Sequence, residues 1–463
     1  MYWANLIHFY QPPTQKPYWV KRVAEESYVK VIEGIGRYPG ARVTLNINAI
    51  LVELLVKNGY PGLVKKIANL AGDGRIELTQ SAKYHPLLPK IPESEIIRQI
   101  ELNDATNRKF FGDAWKPQGF FPPEMGFSLD VAKTVHKLGY KWIIVDETSF
   151  PGGVGKAKSD TIYTIEGMDD FAIFFRDRGF SFRILSAKVE TGQEMVAALG
   201  ERLGGDAYLV TGMDGETFGH HRPGLEHLLF ELWNQKQVPC VTISELLAHF
   251  PKREATGVLP GTWALLKQDI QRNLPYARWD DPENEIHVLQ WKLTDMVLET
   301  IAHADPKAKD FTKARELVDA ALHSDQYWWA SARPWWSIEM IEAGAKDLVV
   351  ALHATPGVSE ATKAEGQQLY YQILELAFLW QKTGKIEQMA KEGDEEIFEH
   401  VSDEQKEIST EEKQKMISTL EKQMWETSKA KEFERAARFR DRIRELQEER
   451  PLNEHTIEDD WGF

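Results

Sequence analysis

Short apolar runs alternate with helix-period segments through the first 250 residues, and this alternation leaves few folds open. Trp3 to Ile7 is strand-like and stops at His8-Phe9-Tyr10-Gln11-Pro12-Pro13. Val43 to Asn48 is a second strand, followed by a helix over Ala49 to Asn58 with Ile50, Leu51, Leu54 and Leu55 on one face. Leu63 to Leu70 is a further helix, closed by Gly72-Asp73-Gly74. Arg75 to Gln80 is a third strand, running into Lys83-Tyr84-His85, and Glu93 to Phe111 is a long helix. Next come a strand leading to Glu124, a helix over Leu129 to Leu138, and a strand over Trp142 to Val145 that ends at Asp146-Glu147. Phe171 to Phe175 and Ala207 to Thr211 complete the sheet strands, Leu225 to Gln235 is a helix, and Val238 to Ile243 is a final strand. Such β–α alternation builds a parallel sheet with helices outside, and the strand count fits a closed or nearly closed barrel.

The polar residues fall where a barrel carries chemistry, at the C-terminal rim of its strands. His8, Gln11, Glu77, His85, Glu124, Asp146 and Asp214 all read as lying at or just past strand ends. Two acids stand out. Glu124 follows the run Gly119-Phe120-Phe121-Pro122-Pro123, and Asp214 follows Tyr208-Leu209-Val210-Thr211-Gly212-Met213 and precedes Gly215-Glu216. A barrel can bring these carboxyls together, although either acid alone could cap a helix or pair with an arginine. Asp146 and Glu147 read as the start of a helix.

A formal charge of -15 over 463 residues disfavours nucleic acid as a partner, because phosphate contacts need a basic surface. The single cysteine, Cys240, lies in an apolar run and reads as a core residue. No basic leader and no bilayer-length apolar run is present, so a cytoplasmic protein without membrane contact is expected. Fifteen tryptophans are a heavy load, and several, including Trp263, Trp328 and Trp329, sit beside polar residues. Flat apolar rings with polar neighbours suit sugar faces, although most should pack domain seams.

The character changes after the barrel region, read as residues 1–256. Residues 257–391 lose strand signals and read as an all-α domain. Glu285 to Ala302, Phe311 to Leu322, Ser337 to Leu352 and Thr362 to Lys382 are its amphipathic helices. It should pack on the barrel rim and complete the cleft. Residues 392–409 read as an acidic linker, 410–449 as a two-helix hairpin, and 450–463 as a tail. A hairpin this short is marginal alone and should dock on a copy of itself or on a protein partner.

Five motifs in order resemble glycoside hydrolase family 57. His8-Phe9-Tyr10-Gln11-Pro12 matches the first, with Tyr10 where the family carries a second histidine. Gly74-Arg75-Ile76-Glu77 matches the second, and Phe121-Pro122-Pro123-Glu124 matches the third. Met213-Asp214-Gly215-Glu216-Thr217-Phe218-Gly219 matches the fourth, and Ser324-Asp325-Gln326-Tyr327-Trp328-Trp329 the fifth. The resemblance implies an incomplete (β/α)7 barrel and retaining cleavage or transfer of α-glucan linkages without a metal or other cofactor. It makes Glu124 the nucleophile and Asp214 the acid/base, with Asp214 raised in pKa relative to Glu124. It points to His8, Gln11, Glu77, His85 and Asp325 as holders of substrate and to Trp263, Trp328 and Trp329 as stacking rings. Leu420-Glu421-Lys422-Gln423-Met424 and Glu432 to Ile443 resemble the UVR motif, a protein-interaction hairpin. An amylase-type hydrolase on α-glucans or maltooligosaccharides is the reading that follows. A 4-α-glucanotransferase or branching enzyme would use the same acids. A glucan-sensing adaptor acting through the hairpin, or a metal-dependent barrel hydrolase, are the rivals. No Asp-x-x-His or His-x-His cluster at a strand end supports the metal reading.

Overall fold

The computed structural model describes residues 1–333, 335–391, 410–429, 440 and 443. Ten strands lie among them: β1 (Tyr2–Phe9), β2 (Val43–Ile47), β3 (Ile76–Leu78), β4 (Gly119–Phe120), β5 (Trp142–Asp146), β6 (Ile162–Ile165), β7 (Met168–Arg176), β8 (Tyr208–Asp214), β9 (Cys240–Val241) and β10 (Arg253–Thr256).

Seven of these form the barrel, and all seven are parallel. β1 pairs with β8 on one side and β2 on the other, and β2 pairs with β3. Gln80, just past β3, continues the ladder to β4. Its N–H donates to Gly119 O, and its carbonyl accepts from Phe121 N, both at 2.9 Å. β4 then pairs with β5, and β5 with β7. Closure fails between β7 and β8, where Asp177 N donates to Val210 O at 2.7 Å without a continuing ladder. The reason lies in the lower half of β7, which pairs antiparallel with β6 from Met168 to Ile173, and β6 in turn carries β10. The chain therefore forms an incomplete (β/α)7 barrel followed by a helical region.

Period-two alternation sorts the barrel residues. Outward residues such as Ile7, Phe9, Val43, Leu45, Ile76, Leu209 and Met213 pack in one core with the surrounding helices. Inward residues Ala4, Leu6, Trp142, Ile144, Ala172, Phe174, Tyr208 and Val210 fill the lumen together with Phe121 and Met125. The lumen is thus a packed apolar plug below the rim, and polar side chains are left to the top.

The four expected helices of the second half are Glu285–His303, Phe311–Ala321, Ile338–Ala354 and Glu360–Thr383. They share one continuous core with the β4–β7 side of the barrel, in which Phe120, Ile143 and Val145 join Leu293, Val318, Leu348 and Ile373. Buried ion pairs staple the two parts. Arg315 spans Glu95 (2.6 Å) and Asp319 (3.0 Å), and Arg98 reaches Asp319 at 2.6 Å.

Several local expectations change. The strand expected over Val238 to Ile243 shrinks to β9, because Thr242 and Glu245 form a capping box that starts a helix at Ile243. Between β5 and Asp214, where only Phe171 to Phe175 and Ala207 to Thr211 were expected as strands, the chain also forms β6 and helices Arg178–Leu185 and Gly192–Leu199. Pro17–Arg37 is helical throughout, with one wide turn at Ala24–Tyr28. In the hairpin region, Thr410–Lys429 is a helix, and Ile417 and Leu420 are buried with Ile443. The linker 392–409, most of the second hairpin helix and the tail 450–463 lie outside the described residues.

Candidate active site

Strand register decides which polar groups share the top layer of the lumen. His8 is level with Asn46 of β2 and with Asp214 of β8, and Asp146 of β5 is level with Arg176 of β7. All five continue the inward phase of their strands. His8 Nδ1–H donates to Asn46 Oδ1 at 2.7 Å, and Asn46 Nδ2 donates to Thr79 Oγ1 at 3.0 Å. Burial pushes His8 down to about 4, so its imidazole is neutral.

Glu124 reaches this layer by a strained turn. β4 is only two residues long, and Pro122-Pro123 fixes the exit. Glu124 (φ 60°) and Met125 (φ 48°) then both take the left-handed conformation. That region costs a non-glycine residue about 1–2 kcal/mol, and such outliers concentrate at functional sites. Met125 anchors the turn by burying in the lumen plug. Each carboxyl oxygen has one protein donor: Trp263 Nε1–H to Oε2 at 2.9 Å and Ser324 Oγ–H to Oε1 at 3.2 Å. Trp263 N also donates to Glu124 O at 3.2 Å. Residues of the helical region thus hold an acid that the barrel presents. The side chain is still 16 % exposed, so a ligand can reach it.

His85, a third left-handed residue (φ 58°), lies beside Glu124 and Ser324. Its ring stacks on Tyr10 at 3.9 Å and on His8 at 5.1 Å. Its Nδ1 is 3.0 Å from Ser324 Oγ and 3.6 Å from Glu124 Oε1, so the serine mediates between imidazole and carboxyl. Burial holds His85 well below the ordinary histidine range. Asp325 accepts from Tyr10 Oη–H at 2.6 Å and lies 3.2 Å from His323 Nδ1.

Asp214 ends β8, and the next residue must be small: a Cβ on Gly215 would fall 2.2 Å from the Phe9 ring. Glu216 tucks behind, where it takes hydrogen bonds from Tyr28 Oη and from Gln11 Nε2 (2.8 Å). Arg176 closes the layer. Its Nη1 pairs with Asp146 Oδ2 at 2.6 Å, and its Nε donates to Gly212 O at 2.6 Å, two residues before Asp214.

The acids are crowded, and this reverses one expectation. Glu124 is pushed up to about 8 by burial and by the negative charges of Asp214 and Asp325, against the opposing hydrogen bonds of Trp263 and Ser324. Asp214 is pushed up by burial only to about 6, because the Arg176 guanidinium favours its ionised form. Burial and the charge of Asp214 raise Glu216 to about 8. Glu124, not Asp214, is therefore the more readily protonated of the two. The sequence reading lacked Arg176 and so assigned the opposite order.

Of the ten residues singled out, His8, His85, Trp263, Glu124, Asp214 and Asp325 come together at the rim. Gln11 is one step removed and holds Glu216. Glu77 is not at the rim: it sits inside β3, level with Thr44 and Leu6. It accepts from Ser244 Oγ, from Ser244 N at 3.1 Å and from Thr44 Oγ1 at 3.0 Å. It ties helix Ile243–His249 to the barrel wall, one layer below the site. Trp328 stacks on Trp279 (5.0 Å) and Trp335 (5.8 Å) as part of the helical core, and Trp329 meets Trp335 edge-on at 6.0 Å. Asp146, read as a helix start, does cap a short helix over Glu147–Ser149, its Oδ1 accepting from Thr148 N at 3.1 Å, and it is also fully buried between Arg176 and Arg178.

Sequence reasoning passed over Asn46, Arg176 and Ser324. Asn46 was findable, because Thr44 and Asn46 alternate with Val43, Leu45 and Ile47 and mark a polar inner face. Arg176 also had a signal, since a charge ends the apolar run Phe171–Phe175 at a strand terminus. Ser324 stood in the fifth motif beside Asp325, but nothing in the sequence tied it to Glu124, which lies 200 positions away. Among the described residues no group of three or more His, Cys, Asp or Glu side chains is placed to hold a metal ion, and no helix is long and apolar enough to cross a membrane.

Residues 7–258 match the family model described as "Glycosyl hydrolase family 57", and residues 414–449 match that of the UvrB/uvrC motif. An α-amylase of Pyrococcus horikoshii is 27 % identical over 228 residues, which are 49 % of this chain and 35 % of that protein. A 4-α-glucanotransferase of Thermococcus kodakarensis is 25 % identical over 218 residues, 46 % of this chain and 32 % of that protein. The matched stretches thus span about a third of these relatives. Among solved structures, a GH57-type branching enzyme from Pyrococcus horikoshii superposes with a TM-score of 0.63 at 16 % identity, covering 81 % of this chain and 94 % of that one. At that identity the likeness speaks for the fold alone.

Proposed function

Because the chain belongs to glycosyl hydrolase family 57, we propose that it acts on α-glucans or maltooligosaccharides by double displacement with retention. Glu124 is the nucleophile and Asp214 the acid/base. The observation that carries this reading is the strained Glu124, held by a donor on each oxygen and sensing the charge of Asp214 across the barrel mouth.

In the first step a Glu124 oxygen bonds to the anomeric carbon as the glycosidic bond breaks. The leaving oxygen takes its proton from Asp214. In the second step water or a sugar hydroxyl attacks that carbon, gives its proton to Asp214 and releases Glu124. The pair needs one proton, and it must sit on Asp214. The surroundings favour the other carboxyl, so the reactive form is the fraction whose proton sits on Asp214, and positive charge developing at the anomeric carbon stabilises ionised Glu124 in the transition state of that form.

Relatives named α-amylase and 4-α-glucanotransferase support an α-glucan substrate. Transfer rather than hydrolysis is a second reading. It is favoured by the relatives named 4-α-glucanotransferase, which match about as much of this chain as the α-amylases do. Incubation with maltoheptaose separates the two. Products longer than seven units mean transfer, only shorter ones mean hydrolysis, and no change in chain length overturns the α-glucan reading. The match of 414–449 to the UvrB/uvrC motif supports a protein-docking role for the hairpin, distinct from catalysis.

A further inference from the structure

Tyr10 leaves β1 just above His8 and crosses the mouth of the barrel to the helical region. Its hydroxyl donates to Asp325 Oδ2 at 2.6 Å, a contact between residues 315 positions apart. The same oxygen faces His323 Nδ1 at 3.2 Å. Asp325 Oδ2 is therefore taken by two protein donors, and the side chain keeps 18 % of its surface exposed. Its Oδ1 is the oxygen left for a ligand. The phenol ring lies flat on His85 at 3.9 Å and 15°, and behind His85 comes His8, itself stacked on Phe121 at 4.6 Å. The Tyr10 carbonyl lies 3.2 Å from Tyr28 Oη, whose proton goes to Glu216. The ring thus has one orientation available, with its hydroxyl on Asp325.

We propose that Tyr10 is a specificity-determining residue. Its phenol fills the space, and occupies the Asp325 oxygen, that a shorter side chain at this position would leave to a substrate hydroxyl. The sugar beside Glu124 is then held at this end through Asp325 Oδ1, with the carboxylate kept in register by Tyr10. The inference rests on the α-glucan reading and assigns Tyr10 a positioning role within it. A phenol is neutral across the working pH range, so the grip on Asp325 does not vary with pH. An imidazole in its place would titrate.

The test is a double-mutant cycle on the full chain with Tyr10→Phe and Asp325→Asn, read as KM and kcat on maltoheptaose, with Tm measured alongside. Loss of a hydrogen bond to a charged group predicts a KM about tenfold higher for Tyr10→Phe, with kcat within about twofold. In the Asp325→Asn background the same change should have no further effect. Tyr10→His should recover part of the affinity and add a pH dependence of KM between pH 5.5 and 8 beyond that of the native chain. Additive effects of the two substitutions, or a Tyr10→Phe chain indistinguishable from the native one, overturn the role given to Tyr10 while leaving the α-glucan reading intact. A Tyr10→Phe chain that loses kcat and Tm together marks a structural residue and overturns it too. A native chain inert on maltoheptaose overturns both.

Discussion

Glu124 carries two burdens at once, a left-handed backbone and a carboxyl whose burial lifts it to about 8. Both should be visible in measurement. With the proposed roles, turnover needs Glu124 ionised and one proton on Asp214, and Asp214 and Glu124 are pushed up to about 6 and about 8. Below the first value both are protonated and there is no nucleophile. Above the second both are ionised and there is no acid. A plot of kcat/KM against pH should therefore be a bell with limbs near 6 and 8, and a profile flat from 5 to 9 contradicts the pairing. Stability follows with a definite sign. A carboxyl raised above its unfolded value near about 4.3 binds more protons folded than unfolded, so its contribution is fully present below that value and is lost as pH rises through 8. Glu124→Gln removes the ionised form. The variant should unfold at a higher temperature than the native chain at pH 9, the gap closing by pH 5, while turnover is lost. Equal melting curves at both pH values would mean that Glu124 is not buried as described.

Elements set what each residue can touch. The register of β1, β2 and β3 puts Glu77 one layer below His8, against Thr44 and the start of helix Ile243–His249. Glu77→Ala strands the buried Thr44 hydroxyl and the half-buried Ser244 hydroxyl and N–H, at about 1–3 kcal/mol for a buried donor left unsatisfied. Thermal unfolding should shift down by several degrees, with KM for maltooligosaccharides unchanged within about twofold. A raised KM at unchanged Tm would return Glu77 to the substrate. The same example marks how far the sequence was legible. Element types were clear where the period was strong, as in Glu93–Phe111 and Glu285–His303, and the two rim acids were clear from strands ending in a carboxylate. Layer within the barrel was not, because Glu77 and Thr79 differ only by register against a strand thirty residues earlier. Nor could periodicity reveal β6, which edges β7 and keeps the barrel open. The aromatic run Tyr327-Trp328-Trp329 had the composition of a sugar wall, but the core at Trp279 and Trp291 claims two of its rings, Trp291 stacking on Tyr327 at 4.3 Å and Trp279 meeting Trp328.

At the scale of the molecule the site is a seam. The barrel delivers both acids, and the helical region delivers Trp263 and Ser324, which hold one of them, and Asp325, which holds Tyr10. The core that joins the two parts runs unbroken from Phe120 to Ile373, so neither half has a finished site alone. The hairpin is different. Its buried residues Ile417, Leu420 and Ile443 form their own small cluster, apart from the three large ones. Ending the chain after Lys391 should leave Tm and turnover of maltoheptaose unchanged within error, and a loss of either would bring the hairpin into the catalytic unit.

The central claim is a covalent sugar on Glu124, made with Asp214 as its partner. Asp214→Asn should still react with α-maltosyl fluoride, whose leaving group needs no proton, but should release the sugar slowly for want of a base. Mass spectrometry of the quenched, digested variant should find one maltosyl group on the peptide that holds Glu124. An unmodified Glu124 peptide with fluoride released, or the sugar on any other residue, contradicts the account.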